Sequence, residues 1–222
     1  MKLTDVEARI LGSLVEKSYT TPDQYPLSLN ALTNACNQKT SRDPVMDLDE
    51  TTIARALATL QEKNLVGRRS EPGSRVTKFM HHVENLIGGG TAQEIGAICV
   101  LLLRGAQTPG EIKTRTDRLC EFGSTADVEA VLLELAGRTD GPFVARLPRQ
   151  SGQKEARYRH LFSGNPEPAA AAPEKSERLP PAPALKPPTP GTDAVARLEK
   201  RVLALETAVK DLQDRLKTES AS

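Results

Sequence analysis

The segment DETTIARALATLQEKNLVGRRSEPGSRVTKF, residues 49–79, joins a helical pattern to a hairpin pattern. Its first half predicts a helix from Asp49 to Asn64, because apolar residues recur there at helical spacing. These inward-facing residues are Ile53, Leu57 and Leu60. Its second half has strand-like runs at residues 65–69 and 75–79 on either side of a Pro-Gly turn. The segment therefore predicts a helix that leads directly into a β-hairpin.

Two further helical patterns precede this segment. Thr4-Asp5-Val6-Glu7 is a capping box that starts a first helix. Residues Leu27 to Cys36 are predicted to form a short second helix, capped by Ser28. Three helices followed by a hairpin are typical of the winged-helix variant of the helix-turn-helix. In that fold the third helix can enter a major groove while the hairpin, or wing, contacts the backbone.

The same order of elements recurs further along the chain. A second capping box, Thr91-Ala92-Gln93-Glu94, begins the second copy, and Gly88-Gly89-Gly90 predicts a flexible hinge between the copies. The other predicted elements are helices from Thr108 to about Leu119 and from Thr125 to Ala136, and strands at residues 143–147 and 156–162. We therefore expect a mostly α fold with small β-hairpins (α+β), made of two tandem winged-helix domains at residues 1–87 and 88–164.

The composition changes after residue 164. Proline and alanine dominate residues 165–191, which predicts a disordered linker. From residue 192 to 218 apolar residues recur at alternating steps of three and four, the seam of a coiled-coil helix. The seam comprises Val195, Leu198, Val202, Leu205, Val209, Leu212 and Leu216. Its β-branched and leucine positions favour a parallel dimer; the alternative is a single amphipathic helix that packs on the chain's own domains.

Charge and cysteine content limit the function classes. Lys and Arg number 30 against 29 Asp and Glu, a net charge of +1, so a generally cationic protein is excluded and only a local basic patch can attract a polyanion. Three cysteines at wide spacing fit neither a disulfide framework nor a zinc site, and they suit a reducing cytoplasm. No apolar run is long enough to span a bilayer, so we expect no membrane partner.

Signatures of catalysis and cofactor binding are absent from the sequence. It has no phosphate-binding Gly-Lys-Ser/Thr loop, no Gly-x-Ser-x-Gly elbow and no His-Glu-x-x-His helix. His81 and His82 are adjacent on a predicted strand and should point to opposite faces, which prevents joint ligation of a metal. We therefore expect a protein that is not an enzyme and that binds neither cofactor nor metal.

Basic residues cluster in both predicted hairpins, where wings contact phosphates. The candidates for contact with duplex DNA are Arg68, Arg69, Arg75 and Lys78 in the first hairpin, Arg146, Arg149, Lys154, Arg157 and Arg159 in the second, and Thr51, Thr52 and Arg55 on the first copy's third helix. Lys39 and Arg42, in the loop before that helix, are secondary phosphate candidates. The alternative is that exposed hairpins carry Arg and Lys for solubility and edge protection.

Acidic residues on the third helices oppose this interpretation. Asp49 and Glu50 stand at the end of the first that would approach bases, although acids there also suit the helix dipole. The second carries Asp127, Glu129 and Glu134 with no base before Arg138, so phosphates should be repelled from it. We therefore expect at most the first copy's third helix to enter a groove, with the second copy contributing through its wing or serving another role.

Three runs of sequence resemble the bacterial YceH-like proteins. They are TTPDQYPLSLNALTNACNQK (residues 20–39), LLLRGAQTPGE (101–111) and DGPFV (140–144), and the resemblance covers about residues 3–164. It implies a tandem winged-helix architecture and supplies no function. The leading hypothesis is a DNA-binding regulator or accessory factor. The alternative is an adaptor that binds a protein partner and has little affinity for DNA, with residues 20–44 as a docking surface.

Overall fold

The computed structural model describes residues 1–70, 76–149, 153 and 155–163, all within one compact unit, Met1–Ala170. A second unit, Ala171–Ser222, lies entirely outside the described residues. The predicted linker at 165–191 and the coiled-coil seam from Val195 to Leu216 are therefore not described, and neither are Arg75 and Lys154. These parts of the sequence-based interpretation remain predictions.

The first repeat contains three helices and a three-stranded antiparallel sheet. Its elements are α1 (Asp5–Thr20), β1 (Leu27–Ser28), α2 (Leu29–Cys36), α3 (Glu50–Glu62), β2 (Val66–Arg69) and β3 (Lys78–His81). The sheet has the order β1-β3-β2, with Leu27 opposite Phe79 and Val66 opposite His81. Each helix begins where a side chain caps it: Thr4 for α1, Ser28 for α2 and Asp49 for α3.

Two local expectations need correction in this repeat. Leu27 and Ser28 form a strand rather than the first turn of α2, because Leu27 pairs with Phe79 of β3, a partner 52 positions away along the chain. The second hairpin strand runs from Lys78 to His81 rather than over residues 75–79, because it pairs residue by residue with Val66–Arg69. Both differences arise from long-range pairing and not from local propensity.

The second repeat has the same order of elements. They are α4 (Ala92–Arg104), α5 (Pro109–Thr116), α6 (Thr125–Gly137), β4 (Val144–Arg146) and β5 (Tyr158–His160). Gln107 forms a single antiparallel bridge with Tyr158, at the position that β1 occupies in the first repeat. Among the described residues the fold is thus an α+β mixture of six helices and two small antiparallel sheets.

An ion pair recurs between the first and third helices of each repeat. Glu7, in the capping box of α1, receives two hydrogen bonds from Lys63, which ends α3. Glu94, in the capping box of α4, pairs with Arg138, which ends α6, at 3.4 Å. Both carboxylates are almost fully buried, so each repeat fixes the end of its third helix against the start of its first.

Helices α1 and α4 cross at a glycine and share one hydrophobic core. A Cβ atom on Gly12 would lie 2.9 Å from Leu103 Cδ2, which is closer than packed carbon atoms approach. The Cys99 thiol donates to the Gly12 carbonyl oxygen at 3.4 Å in the same contact. Because Gly12 has no side chain, the side chain of Leu103 on α4 packs directly against the backbone of α1.

The predicted hinge contains a hydrogen-bonded turn. Gly88 and Gly89 have φ angles of 63° and 90°, in the region that favours glycine. The Gly89 N–H donates to Glu84 at 2.7 Å, and Arg138 donates to the Gly89 carbonyl oxygen at 3.4 Å. The connection between the repeats is thus tied to both of them.

His160, on β5, is buried without a charge partner. Its pKa is lowered to about 4, mainly by burial and in addition by the positive charge of Arg159, while Asp5 opposes the shift. Its Nδ1 atom has no hydrogen-bond partner among the described residues, and its ring stacks on Phe162 at 5.8 Å. The folded protein therefore keeps this ring neutral.

Lowering the pH from 7 to 5 is expected to reduce the free energy of unfolding through His160. An unfolded histidine with a pKa near 6.5 binds a proton below that pH, whereas the folded one binds it only near 4, so stability falls across this window by about 2 kcal/mol at pH 5. Urea unfolding of His160→Phe should lose less stability than wild type over the same window. His82→Phe, at a more exposed ring, is the control; equal acid losses in all three proteins would contradict the assignment.

Candidate nucleic-acid interface

Helix α3 buries one face and exposes another, which carries Arg55 in its middle and the acids Glu50 and Glu62 at its two ends. Ile53, Leu57 and Leu60 are buried, whereas Thr51, Ala54, Arg55 and Ala58 are exposed. Thr52 is half-buried and its hydroxyl donates to Asp49 at 3.1 Å, so it belongs to the helix cap. Of the three candidates on this helix, Thr51 and Arg55 are the two whose side chains are exposed.

The acids at the start of α3 are engaged locally. Asp49 accepts from the Thr52 N–H at 2.7 Å, and these bonds to Thr52 lower its pKa, with a smaller contribution from the positive charge of Arg55. The Asn30 amide donates to Glu50 at 3.3 Å. Their position thus has the structural explanation that a helix N-terminus favours acceptors and negative charge.

The first hairpin presents two exposed arginines. Arg68 and Arg69 lie on β2, opposite Phe79 and Lys78 of β3. Within the described part of the chain, the guanidinium groups of Arg55, Arg68 and Arg69 form neither an ion pair nor a side-chain hydrogen bond. Lys78 is half-buried and does have a partner. Within the described residues, therefore, Arg55, Arg68 and Arg69 form no direct ion pair, although the charge of Arg55 acts on Asp49.

The basic residues of the second hairpin differ in whether they are exposed or bonded to the protein. Arg146 and Arg149 are exposed, and Arg159 is half-buried. Arg157 instead donates to the Ala106 carbonyl oxygen at 3.0 Å and to Glu111 at 3.1 Å. Arg157 therefore fastens β5 to the start of α5, and the expectation that its charge is free for phosphate needs correction.

Arg42 was expected to contact phosphate, and this expectation is wrong. Its side chain has no exposed surface, and it donates to both carboxylate oxygens of Glu16, at 3.0 and 2.7 Å. Two further bonds reach the Ala35 carbonyl oxygen, at 3.1 and 2.9 Å. A guanidinium group enclosed in this way cannot reach a ligand. Lys39, in the same loop, is exposed.

Lys2 is a basic residue near α3 that sequence reasoning missed. It lines an open depression between the start of α1 and α3, together with Arg55 and Lys63. Lys63 is neutralised by Glu7, whereas Lys2 is exposed at the chain start. No sequence pattern could have indicated this, because the packing of α1 against α3 brings residues 2 and 55 to the same depression.

Ser18, His81 and Glu84 form a constellation that resembles a catalytic triad in composition only. His81 Nε2 lies 3.1 Å from Ser18 Oγ, and His81 Nδ1 lies 3.4 Å from the Val83 nitrogen and 3.7 Å from Glu84 Oε2. Ser18 Oγ in turn donates to the Val15 carbonyl oxygen at 2.8 Å. The serine hydroxyl is thus bonded to a backbone carbonyl oxygen of its own helix, unlike the nucleophile of a catalytic triad, which donates to the histidine. The group links α1 to β3.

Metal and membrane sites are also not supported by the described residues. No group of three or more His, Cys, Asp or Glu side chains in this part of the chain is arranged to hold a metal ion. None of the helices in the same part combines the length and the apolar character needed to cross a bilayer.

Comparison with known proteins gives a family and no activity. A family model described as "Protein of unknown function, DUF480" matches residues 3–153. A UPF0502 protein of Photobacterium profundum is 54% identical over 169 residues, 75% of this chain and 76% of the relative. UPF0502 proteins of Aeromonas hydrophila and Saccharophagus degradans are 46% and 44% identical over 217 and 220 residues. The match to the Aeromonas hydrophila protein covers 96% of this chain and 96% of the relative. The match to the Saccharophagus degradans protein covers 97% of this chain and 96% of the relative.

Proposed function

The chain belongs to the DUF480 family of proteins of unknown function, which the YceH-like resemblance also indicated, and we propose that it is a non-enzymatic tandem winged-helix protein that binds duplex DNA. The observation that carries this proposal is a set of exposed cations on one helix and the adjoining hairpin, Arg55, Arg68 and Arg69, which form no ion pair with the described residues. Arginines elsewhere in the chain, such as Arg42 and Arg157, are paired with carboxylates. A positive charge left unpaired in this way favours a polyanionic partner.

The two groups of residues would act differently on a duplex. Helix α3 would enter the major groove, where Arg55 suits the N7 and O6 acceptors of guanine and Thr51 suits either base or phosphate. Arg68 and Arg69 would contact phosphates, which adds affinity without sequence preference. Arg146 and Arg149 of the second hairpin would extend the phosphate contacts.

Location and assembly complete the proposal. Cys36, Cys99 and Cys120 are free thiols, and burial raises the pKa of Cys36 to about 11, which keeps it protonated and unreactive. Free thiols suit a reducing cytoplasm. A parallel dimer through residues 192–218 would present two α3 helices to a two-fold symmetric site, as dimeric helix-turn-helix proteins do.

Fluorescence anisotropy of the full chain with a random duplex tests the proposal directly. Four phosphate contacts, from the exposed hairpin arginines, predict that log K falls with log salt at a slope of about −3.6. Titrations at about 50 and about 200 mM salt measure that slope. Absence of binding at the lower concentration would refute DNA binding and favour the adaptor hypothesis.

Arg55→Ala is expected to weaken binding mainly to a preferred sequence. A bidentate arginine contact discriminates between bases by about 1–3 kcal/mol, so we expect about 10-fold weaker binding to a duplex selected by wild type and a much smaller effect on a random one. Anisotropy with both duplexes measures the difference. Arg118→Ala, at an exposed arginine outside the third helices and hairpins, is the control; equal losses on both duplexes would assign Arg55 to phosphate and not to bases.

A further inference from the structure

Helix α6 is the counterpart of α3 in the second repeat. Both helices have 13 residues and an N-capping side chain, Asp49 or Ser124. Their buried residues correspond one to one at constant spacing: Ile53 to Val128, Leu57 to Leu132 and Leu60 to Leu135. This correspondence fixes which outward residues of the two helices are equivalent.

The outward residues differ in chemistry. Arg55 corresponds to Ala130, and Ala58 to Leu133, whose surface is 54% exposed. Glu129 and Glu134 stand where α3 has Ala54 and Thr59. At these positions α6 has a methyl group in place of the cation, two acids and an exposed leucine, whereas the exposed acids at the ends of α3, Glu50 and Glu62, correspond to Thr125 and Gly137.

The charge on this face is offset only in part among the described residues, where the positive charge of Arg146 acts on the Tyr158 hydroxyl that bonds to Glu129. Glu134 is exposed and forms no ion pair or hydrogen bond with the described residues, and Glu129 accepts a bond from the Tyr158 hydroxyl at 3.3 Å. The first cation beyond the acids, Arg138, is held by Asp140 at 3.0 Å and by Glu94 at 3.4 Å. The face consequently stays acidic beside an apolar strip.

We propose that the outer face of α6 binds a basic amphipathic helix of another protein. We define this face as Ala126, Glu129, Ala130, Leu133, Glu134 and Gly137. The small side chains let a partner helix approach closely, Leu133 supplies an apolar contact, and Glu129 and Glu134 lie beside it to pair with Lys or Arg. Charge complementarity thus selects the partner, and the same acids repel a duplex.

A second copy of this chain does not fit the same face. In a two-fold contact between two α6 helices, each copy meets the same surface of the other. Glu134 of one copy would then approach acids of the other, and like charges in contact are strongly unfavourable. The proposal does not depend on DNA binding, because it uses no residue of α3 or of the hairpins.

Photo-crosslinking from this face in living cells tests the proposal. A benzoylphenylalanine placed at the exposed position Ala130 of the full chain, and separately at Ala126, should crosslink a segment that mass spectrometry identifies. We expect a peptide of net positive charge with apolar residues at helical spacing. A synthetic copy of that peptide is then titrated against the full chain by anisotropy.

The variants decide between the proposed contact and chance capture. Glu134→Lys should weaken peptide binding about 10-fold, because a paired charge becomes a repelling one, and added salt should weaken wild-type binding. Leu133→Asp should also weaken it. Thr59→Lys, the equivalent change on α3, is the matched control and should leave it unchanged. Crosslinks only to residues 192–218 of this chain, in the same molecule or in a second copy, would overturn the proposal. So would crosslinks only to nucleic acid or to an acidic or uncharged segment, no crosslink from either position, or binding indifferent to Glu134→Lys.

Discussion

Replacing Arg68 and Arg69 together by alanine is expected to weaken binding to a random duplex on the order of 100-fold at 50 mM salt. Both guanidinium groups are exposed on β2 and free of carboxylates in the described part of the chain. Each phosphate contact releases about 0.9 of a counterion, so two lost contacts make the salt slope shallower by about 1.8 units. The curves of variant and wild type should converge as the salt concentration approaches 1 M.

Two features of the measurement distinguish this result from a loss of folded protein. Exposed residues on a hairpin contribute little to stability. The free energy of unfolding measured in urea should therefore change by no more than about 0.5 kcal/mol. Arg118→Ala should leave the salt slope unchanged, since it removes a charge outside the third helices and hairpins. A double variant with wild-type slope and affinity would exclude the first hairpin from the interface.

The sequence predicted the starts of most helices because those starts are local, although α2 begins two residues after its predicted start. Thr4, Thr91, Thr108 and Ser124 each accept from a backbone N–H three residues ahead, and each has an acid at that position that bonds back. Such a box lies within four residues, so no tertiary information is needed to read it. The two copies of the same order of helices could be recognised in the sequence for the same reason.

Residue roles that depend on distant partners could not be predicted. Arg42 was assigned to the surface because its neighbours in sequence are polar, yet Glu16 and the Ala35 carbonyl oxygen enclose it. Arg157 occupies a position of its strand that the alternating pattern would assign to the surface. Its guanidinium group nevertheless bonds to Glu111 of α5. An arginine is long enough to join elements that sequence patterns treat separately.

The loop between α2 and α3 is held in place by two buried arginines, Arg42 and Arg9. Arg9 donates to the carbonyl oxygens of Cys36 and Pro44, at 3.1 and 2.6 Å. Asn37 exchanges two bonds of 2.8 Å with the Leu48 backbone, and the Asp43 N–H donates to Leu103 of α4 at 2.9 Å. The loop that leads into α3 is thus fixed to both repeats, which holds the exposed face of α3 in one orientation.

Arg42→Ala is accordingly expected to lower the free energy of unfolding by about 3–5 kcal/mol. It leaves Glu16 without its main partner and Ala35 without two donors. Burial alone would raise the pKa of Glu16, but the bonds and charge of Arg42 outweigh it and lower that pKa. Urea unfolding at neutral pH measures the loss. Lys39→Ala, an exposed change in the same loop, should cost no more than about 0.5 kcal/mol.

The double variant Arg42→Met with Glu16→Met separates the loss of a pair from the loss of one partner. Removing both charges leaves no buried ion uncompensated, so it should be less destabilised than Arg42→Ala alone, although one acceptor on Ala35 loses its donors. If Arg42→Ala keeps near wild-type stability and the salt slope of its duplex binding becomes shallower, Arg42 contacts phosphate and its structural role is refuted. If stability falls strongly and the fraction that remains folded binds the duplex with an unchanged salt slope, the role of Arg42 is to hold α3 in place.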